Sequence, residues 1–319
     1  MKKTVVNTLI VLLLLAAAVV FMIPEAESFI IARQNAKQIL DFQKKADIVA
    51  KAQEQVQNQE EISESELSEP AEADYGQLLQ EMRNYNESIY QKKQVGISDA
   101  WDEKDENFDF TLVEDLEDLI GYLTIEAMNI ELPLYMGAST ENMAKGAAVL
   151  NQTSFPVGGI NTNCVIAAHR RYRGAPMFGD IEKLKPGDEI KLTNLWETLT
   201  YRVVKSIVIS PDDIETVKII DGQDMITLVT CHPFGKNYQR YVVYCVRADV
   251  SQQDHMTERI NEDILSEDVF PSEQEYQSSQ SDIDRDFWLN RIGAVAAVVI
   301  LLVIFIGFIY SNFFKSKVI

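Results

Sequence analysis

Two long apolar runs lie near opposite ends of the chain, and the region between them carries helical and then strand-like patterning. Residues 9–23 are uncharged and apolar throughout, and residues 292–310 form a second uncharged run. Each approaches the roughly 20 apolar residues that cross a bilayer. Both runs are therefore predicted to be transmembrane helices.

The two runs also have other interpretations. The first resembles a signal peptide, because Lys2 and Lys3 precede it and small residues at 26–28 could permit cleavage. Its length favours a retained anchor. A buried core helix for the second run is disfavoured by its lack of a polar face. Lysines and no acids flank both outer ends, so both termini are predicted to be cytoplasmic and residues 24–290 extracellular.

Helical periodicity follows the first run. Residues 26–57 are predicted to form an amphipathic helix, and residues 75–92 a second one. Between them, the acidic residues 60–74 are typical of a linker. The apolar positions of the first helix are Phe29, Ala32, Ala36, Ile39, Ala46 and Val49.

Beyond residue 108 the pattern changes to short β-rich runs separated by Gly, Pro and Asn. Seven strands are predicted, at residues 120–125, 129–135, 164–169, 189–195, 199–209, 225–231 and 240–248. Short helices are expected near 142–145 and 178–184. This pattern favours a mainly β domain, either a sandwich or a closed barrel. The acidic, weakly apolar stretch 249–286 is predicted to be a tether.

These patterns divide the chain into five predicted regions: 1–23, the cytoplasmic tip and anchor; 24–107, helices, linker and loop; 108–250, the β domain; 251–290, the tether; 291–319, the second span and tip. The net charge of −20 argues against nucleic-acid binding, which needs clustered Lys and Arg. No cofactor or metal site is expected, because the adjacent acid pairs are typical of solvated surfaces.

Three cysteines provide the candidate chemistry. Cys164 and Cys245 lie within apolar strands, where cysteine is usually a small buried hydrophobe; a disulfide between them is the alternative. Cys231 instead ends a strand, a position that holds a nucleophile rigidly and leaves it accessible. A reactive thiolate needs a nearby base or cation.

Two of the three histidines are poorly placed to assist Cys231. His232 is its neighbour and points to the opposite face of an extended chain. His255 lies in the predicted tether. His169 ends another strand and is the better partner, although strand-end residues are often only structural.

The motif Thr227-Leu228-Val229-Thr230-Cys231, followed by Arg240, resembles the signature of the sortases, the cysteine transpeptidases of Gram-positive cell surfaces. The block Ala168-His169-Arg170 resembles the histidine region of that family. The resemblance covers about residues 120–248. It implies a closed eight-stranded β-barrel with short helices, preceded here by N-terminal helices and flanked by the two predicted spans.

Two features resemble class C, the pilin-polymerising branch. One is the second, C-terminal span. The other is a lid tripeptide, Asp-Pro-aromatic in the family and Asp99-Ala100-Trp101 here, with alanine in place of proline. The alternative is that Asp99 and Trp101 belong to an ordinary exposed loop.

The resemblance implies a nucleophile, Cys231, a general acid/base, His169, and a substrate- and oxyanion-binding cation, Arg240. Thr230 is expected either to support the oxyanion or to be only a strand residue. The implied reaction cleaves an LPxTG-like signal between Thr and Gly and joins it to a Lys amine of another pilin subunit. Two alternatives are attachment of surface proteins to peptidoglycan and an inactive membrane-tethered assembly or adhesion scaffold.

Overall fold

A computed structural model describes residues 2–59, 75–97 and 119–248, together with scattered positions between 289 and 307. Two compact units are present: residues 1–30 with 278–319, and residues 31–277. In the first unit, residues 2–30 are helical. Across the described residues, no helix combines the length and the apolar character that crossing a membrane requires. Most of the run 292–310 lies outside the described residues.

The helices follow the predicted order. They are α1 (Lys2–Gln59), α2 (Tyr75–Gln91) and α3 (Thr140–Lys145), with 3-10 turns at Glu126–Met128, Ile181–Lys183 and Ile214–Val217. The side chain of Ser139 caps α3 by accepting a hydrogen bond from the Asn142 main-chain nitrogen. The expected helix at 178–184 is reduced to a single 3-10 turn.

Eight strands close into a barrel, which confirms the β-barrel alternative. They are β1 (Leu119–Ile125), β2 (Ile130–Met136), β3 (Ala147–Val149), β4 (Thr162–Ala167), β5 (Glu189–Thr193), β6 (Thr198–Ile209), β7 (Asp224–His232) and β8 (Gln239–Arg247). The order around the barrel is β1-β2-β3-β4-β7-β8-β6-β5. The pairs β2/β3 and β4/β7 are parallel and the rest are antiparallel.

Alternation along the strands separates two apolar clusters. The interior cluster takes residues from all eight strands and fills the barrel; Ile166, Leu228 and Val243 belong to it. The outer cluster covers the other face of the sheet and includes Ala167 and Val229. Successive side chains of a strand point to opposite faces, so each residue at the end of β4, β7 or β8 can be assigned to a cluster.

Helix α1 buries a partly different stripe from the one predicted. In α1, Ile39 and Val49 are buried as expected, but Phe29 is 67% exposed. Asn35 and Phe42 are buried instead, and Phe42 makes an edge contact with Tyr122 of β1. Residues 35, 39, 42 and 49 are spaced three, four or seven apart, so they share one helix face.

Helix α2 docks on the barrel through a buried amide. The Asn86 side chain accepts a hydrogen bond from the Phe155 main-chain nitrogen at 2.7 Å and donates to the Phe155 carbonyl at 3.3 Å. Asn86 is 3% exposed, and Leu78, Met82 and Ile89 are buried on the same face. The Asn86 side chain therefore contacts both main-chain groups of Phe155, whose carbonyl also accepts a hydrogen bond from the Val157 amide at 2.8 Å.

We expect Asn86→Ala to lower the free energy of unfolding by about 2 kcal/mol, because it removes the buried hydrogen bond that the Phe155 amide donates to Asn86. Thermal or urea unfolding of the full-length chain measures the change. Asn84→Ala is the matched control, since Asn84 is exposed on the same helix and only accepts from Gln80. Equal destabilisation by the two variants would contradict the docking role.

Candidate active site

Two strand pairings bring the predicted catalytic residues to one end of the sheet. β4 and β7 run parallel, with Ala167 opposite Val229. Two residues further along, His169 and Cys231 therefore leave their strands side by side. β8 runs antiparallel to β7, and Arg240 is the direct partner of Cys231.

Strand alternation assigns Cys231 and Arg240 to the outer face of the sheet, and continuing it past the end of β4 assigns His169 to the same face. Cys231 is two residues from Val229, and His169 is two residues from Ala167, both members of the outer cluster. Arg240 faces the same side as Cys231 because directly opposed residues of an antiparallel pair do so. The thiol and the guanidinium therefore lie on one face, next to the strand end that carries the imidazole, and these are the groups that acyl transfer needs.

Cys231 is 7% exposed, which corrects the expectation that a strand-end thiol is freely accessible.

Arg240 is held by its own loop. Its Nη1 atom donates to the carbonyls of Asn237 at 3.0 Å and Gln239 at 2.9 Å, and the residue is 6% exposed. These bonds fix the guanidinium before any substrate binds. A fixed cation with little access to water stabilises developing negative charge strongly, because it need not reorganise during the reaction.

His169 is half-buried and stacked on an aromatic ring. Its imidazole lies 5.0 Å from the Tyr172 ring centroid, with an angle of 11° between the planes. The His169 carbonyl accepts a hydrogen bond from the Phe178 amide at 3.0 Å. Burial lowers the pKa of His169 from its ordinary value, because desolvation disfavours the charged imidazolium.

The ring proton of His169, followed by NMR in the full-length chain, should titrate below the ordinary histidine pKa of about 6.5. Tyr172→Ala should raise the midpoint towards that value, because it exposes the imidazole to water. Tyr172→Phe keeps the aromatic ring that stacks on His169 and should leave the His169 midpoint low. A wild-type midpoint at or above 6.5 would contradict the effect of burial.

The other two cysteines lie away from this site. Cys164 and Cys245 both face Ile226, on its two sides, and all three belong to the interior cluster. Two strand spacings of about 4.8 Å separate the two cysteines, which exceeds the span of a disulfide. Both thiols are free, so the disulfide alternative is wrong. Burial raises the pKa of each thiol, which suppresses the reactive thiolate.

Two further predictions have different outcomes. The Thr230 hydroxyl donates to the Ala168 carbonyl at 2.7 Å, which favours a structural role for that hydroxyl. Asp99 and Trp101, the predicted lid residues, lie outside the described residues.

Within the described ranges, no group of three or more His, Cys, Asp and Glu side chains is arranged to hold a metal ion.

Sequence reasoning did not find a buried polar cluster on the interior side of the same strand ends. Arg170 forms an ion pair with Glu182, and its Nη1 atom lies 2.9 Å from His232 Nδ1. His232 points away from the outer face, as predicted, and is 1% exposed. Burial acts to raise the pKa of Glu182, but hydrogen bonds with His232 and Arg170 outweigh it and the pKa is lowered.

Comparison with known proteins decides the family. The sortase domain family matches residues 123–248. The solved structure of sortase C1 of GBS pilus island 1 is 30% identical, with a TM-score of 0.51 over 56% of this chain and 90% of that one. The chain belongs to the sortase family. The predicted family is therefore confirmed.

Two more relatives show how far this sortase can be compared. A sortase C-1 variant from S. pneumoniae is 26% identical, with a TM-score of 0.53 over 67% of this chain and 98% of that one. Sortase A of Bacillus anthracis is 33% identical over 129 residues, or 40% of this chain and 60% of the relative. The chain thus spans less than two thirds of that curated relative.

Proposed function

We propose that this chain is an active, membrane-anchored sortase that polymerises pilin subunits. It cleaves an LPxTG-like sorting signal between Thr and Gly and joins the Thr carbonyl to a Lys amine of another subunit. The observation that supports this proposal is the strand register, in which Cys231 lies opposite Arg240 and His169 follows two residues after Ala167, the partner of Val229.

The first half of the reaction forms a thioester. His169 takes the proton of the Cys231 thiol, and the sulfur attacks the Thr carbonyl carbon. Arg240 stabilises the resulting oxyanion. The C–N bond to Gly then breaks, and the leaving amine takes the proton from His169. Cys231 is left joined to the Thr carbonyl.

The second half transfers the acyl group. The acceptor Lys amine attacks the thioester and loses a proton to His169. Collapse of the intermediate forms an isopeptide bond and breaks the C–S bond, and the Cys231 sulfur recovers its proton. His169 returns in each half the proton that it takes up, so the complete cycle leaves the enzyme unchanged.

A lid over the thiol completes the proposal. In it, Asp99 pairs with Arg240 and Trp101 covers Cys231, which would exclude water until the amine arrives. Two observations support this. Ile97, two residues before Asp99, is 5% exposed and belongs to the outer cluster. Just before it, the Gln94 side chain accepts a hydrogen bond from the Ile219 amide at 2.6 Å, which anchors the entry to this segment on the barrel.

The membrane topology is also a proposal. It places both predicted spans in the bilayer, both termini in the cytoplasm and the barrel outside. The two uncharged runs and their flanking lysines support it.

The choice of pilin as acceptor rests on likeness to sortase C1 of a pilus island and on the C-terminal apolar run. The full-length chain, incubated with a pilin that carries an LPxTG-like signal and an acceptor Lys, should produce an isopeptide-linked ladder. Replacing the acceptor Lys with Arg should abolish the ladder and leave cleavage intact. Transfer to a peptidoglycan amine instead would favour the surface-attachment alternative, and no cleavage would favour the inactive scaffold.

A further inference from the structure

A buried guanidinium lies directly beneath the proposed nucleophile. Arg170 follows His169, and its Nη1 atom donates to the main-chain carbonyl of Cys231 at 3.3 Å. Nη2 of the same guanidinium contacts Glu182, whose side chain is 8% exposed, and the Arg170 side chain is 2% exposed. One buried side chain therefore joins the chain segments that carry the imidazole and the thiol.

The position of this contact follows from the end of the parallel ladder. The Ala168 amide donates to the Val229 carbonyl at 3.2 Å, so the carbonyls of alternate β7 residues from Val229 onward face β4. The next one is the Cys231 carbonyl. By then β4 has ended at Ala167. The side chain of Arg170 supplies the donor that the strand would otherwise have provided.

Neighbouring groups fix the orientation of the guanidinium. His232 Nδ1 lies 2.9 Å from Nη1, and Arg170 Cζ lies 5.9 Å from the centroid of the Tyr241 ring. Glu182 sits on the 3-10 turn Ile181–Lys183, so the ion pair joins two parts of the β4/β5 connection next to β7. The planar fork of an arginine suits several acceptors at fixed angles, which a lysine cannot contact together.

Stability alone is a weak reason for this arrangement. Desolvation of a buried ion pair offsets most of its Coulomb attraction, and apolar residues of similar size often serve stability equally well. The Arg170–Glu182 pair contacts the main chain of Cys231. A small rotation of that main chain would redirect the thiol. A shift of about 1 Å in reacting groups is enough to cost on the order of 10²-fold in rate.

We propose that Arg170, held by Glu182, is a positioning residue that fixes the Cys231 main chain so that its thiol faces His169. This inference rests on the proposed function, because it concerns the same nucleophile. Arg170 lies on the interior side of the strand ends and acts through Cys231 without touching the substrate.

The first measurement is the single-turnover rate of thioester formation in the full-length chain. Arg170→Gln should lower this rate about 10- to 100-fold with little change in the KM for the sorting peptide. Arg247→Gln is the matched control. Arg247 is also a largely buried arginine and lies at the opposite end of β8 from Arg240. Its Cζ atom is 5.5 Å from the Tyr201 ring centroid, and its Nη1 atom is 3.6 Å from Asp224 Oδ2. It should lose thermal stability and keep its rate.

Arg170→Lys separates positioning from charge. Lysine retains the positive charge of arginine but not its planar fork. Arg170→Lys should therefore recover the thermal stability that Arg170→Gln loses, but most of the loss in rate should remain. Full recovery of the rate by Lys would overturn positioning, since charge alone would suffice. An unchanged rate in Arg170→Gln, or an equal fall in Arg247→Gln, would overturn it as well.

A substrate-free measurement separates this inference from the proposed function. The pH profile of Cys231 alkylation by iodoacetamide reports how well the thiol is coupled to His169. Its midpoint should rise in Arg170→Gln and in Arg170→Lys and stay at the wild-type value in Arg247→Gln. If the wild-type chain forms no thioester, the proposed function fails, and this profile still tests the position of the thiol. Identical midpoints in all four proteins would overturn the positioning role.

Discussion

Replacing Cys231 with alanine should abolish cleavage of an LPxTG-like peptide, with a loss of kcat on the order of 10⁶-fold, as expected when a nucleophile is removed. The reason is structural as well as chemical. Cys231 is the one cysteine on the outer face of the sheet, opposite Arg240 and beside the strand end that carries His169. A fluorogenic peptide assay on the full-length chain measures the loss.

Cys245→Ala is the matched control for this experiment. Cys245 lies in the barrel interior, and burial raises the pKa of its thiol. Its replacement should preserve kcat and cost only some stability through the small cavity it leaves. Residual activity in Cys231→Ala near that of the wild type, or an equal loss in Cys245→Ala, would contradict the assignment of the nucleophile.

Arg240→Gln should lower kcat/KM by about 10²- to 10³-fold, the usual effect of removing one preorganised oxyanion donor. Glutamine keeps a hydrogen-bonding side chain but no charge. The loss should therefore report the cation that the Asn237 and Gln239 carbonyls hold in place. The same peptide assay, run over a range of substrate concentrations, separates the effects on kcat and KM.

Arg202→Gln provides the comparison for an arginine outside the site. Arg202 is exposed on β6 and pairs with Glu189 at 3.2 Å. Exposed ion pairs contribute little, so this variant should keep both activity and stability within a small margin. A fall of less than about tenfold in Arg240→Gln, or matching falls in both variants, would exclude Arg240 as the oxyanion-stabilising cation at the size expected of such a group.

Much of the barrel could be predicted because its strands alternate. Seven of the eight strands follow from short β-rich runs between turn residues. β3 was missed because Ala147, Ala148 and Val149 are too few, and too small, to show a period. The stripe on α1 was misjudged for a related reason. Asn35 is buried there although it is polar, and the apolar pattern of the helix gives no sign of that burial.

The residues on the outer face were predictable from the sequence. The buried polar cluster around Arg170 was not. Cys231, His169 and Arg240 are marked by residue type and by strand-end position. The link from Arg170 to Cys231 joins residues 61 positions apart and exists only because β4 and β7 pair in parallel. Local periodicity contains no information about that pairing. A charged residue directly after a strand end was the only available signal.

The most direct test is the mass of the full-length chain, quenched in acid during turnover of an LPxTG-like peptide. The proposed mechanism predicts an adduct equal to the peptide up to and including Thr, mapped by proteolysis to Cys231 and discharged when an acceptor amine is added. An adduct on Cys164 or Cys245, or no adduct while the peptide is cleaved, would contradict a thioester mechanism at this strand-end site.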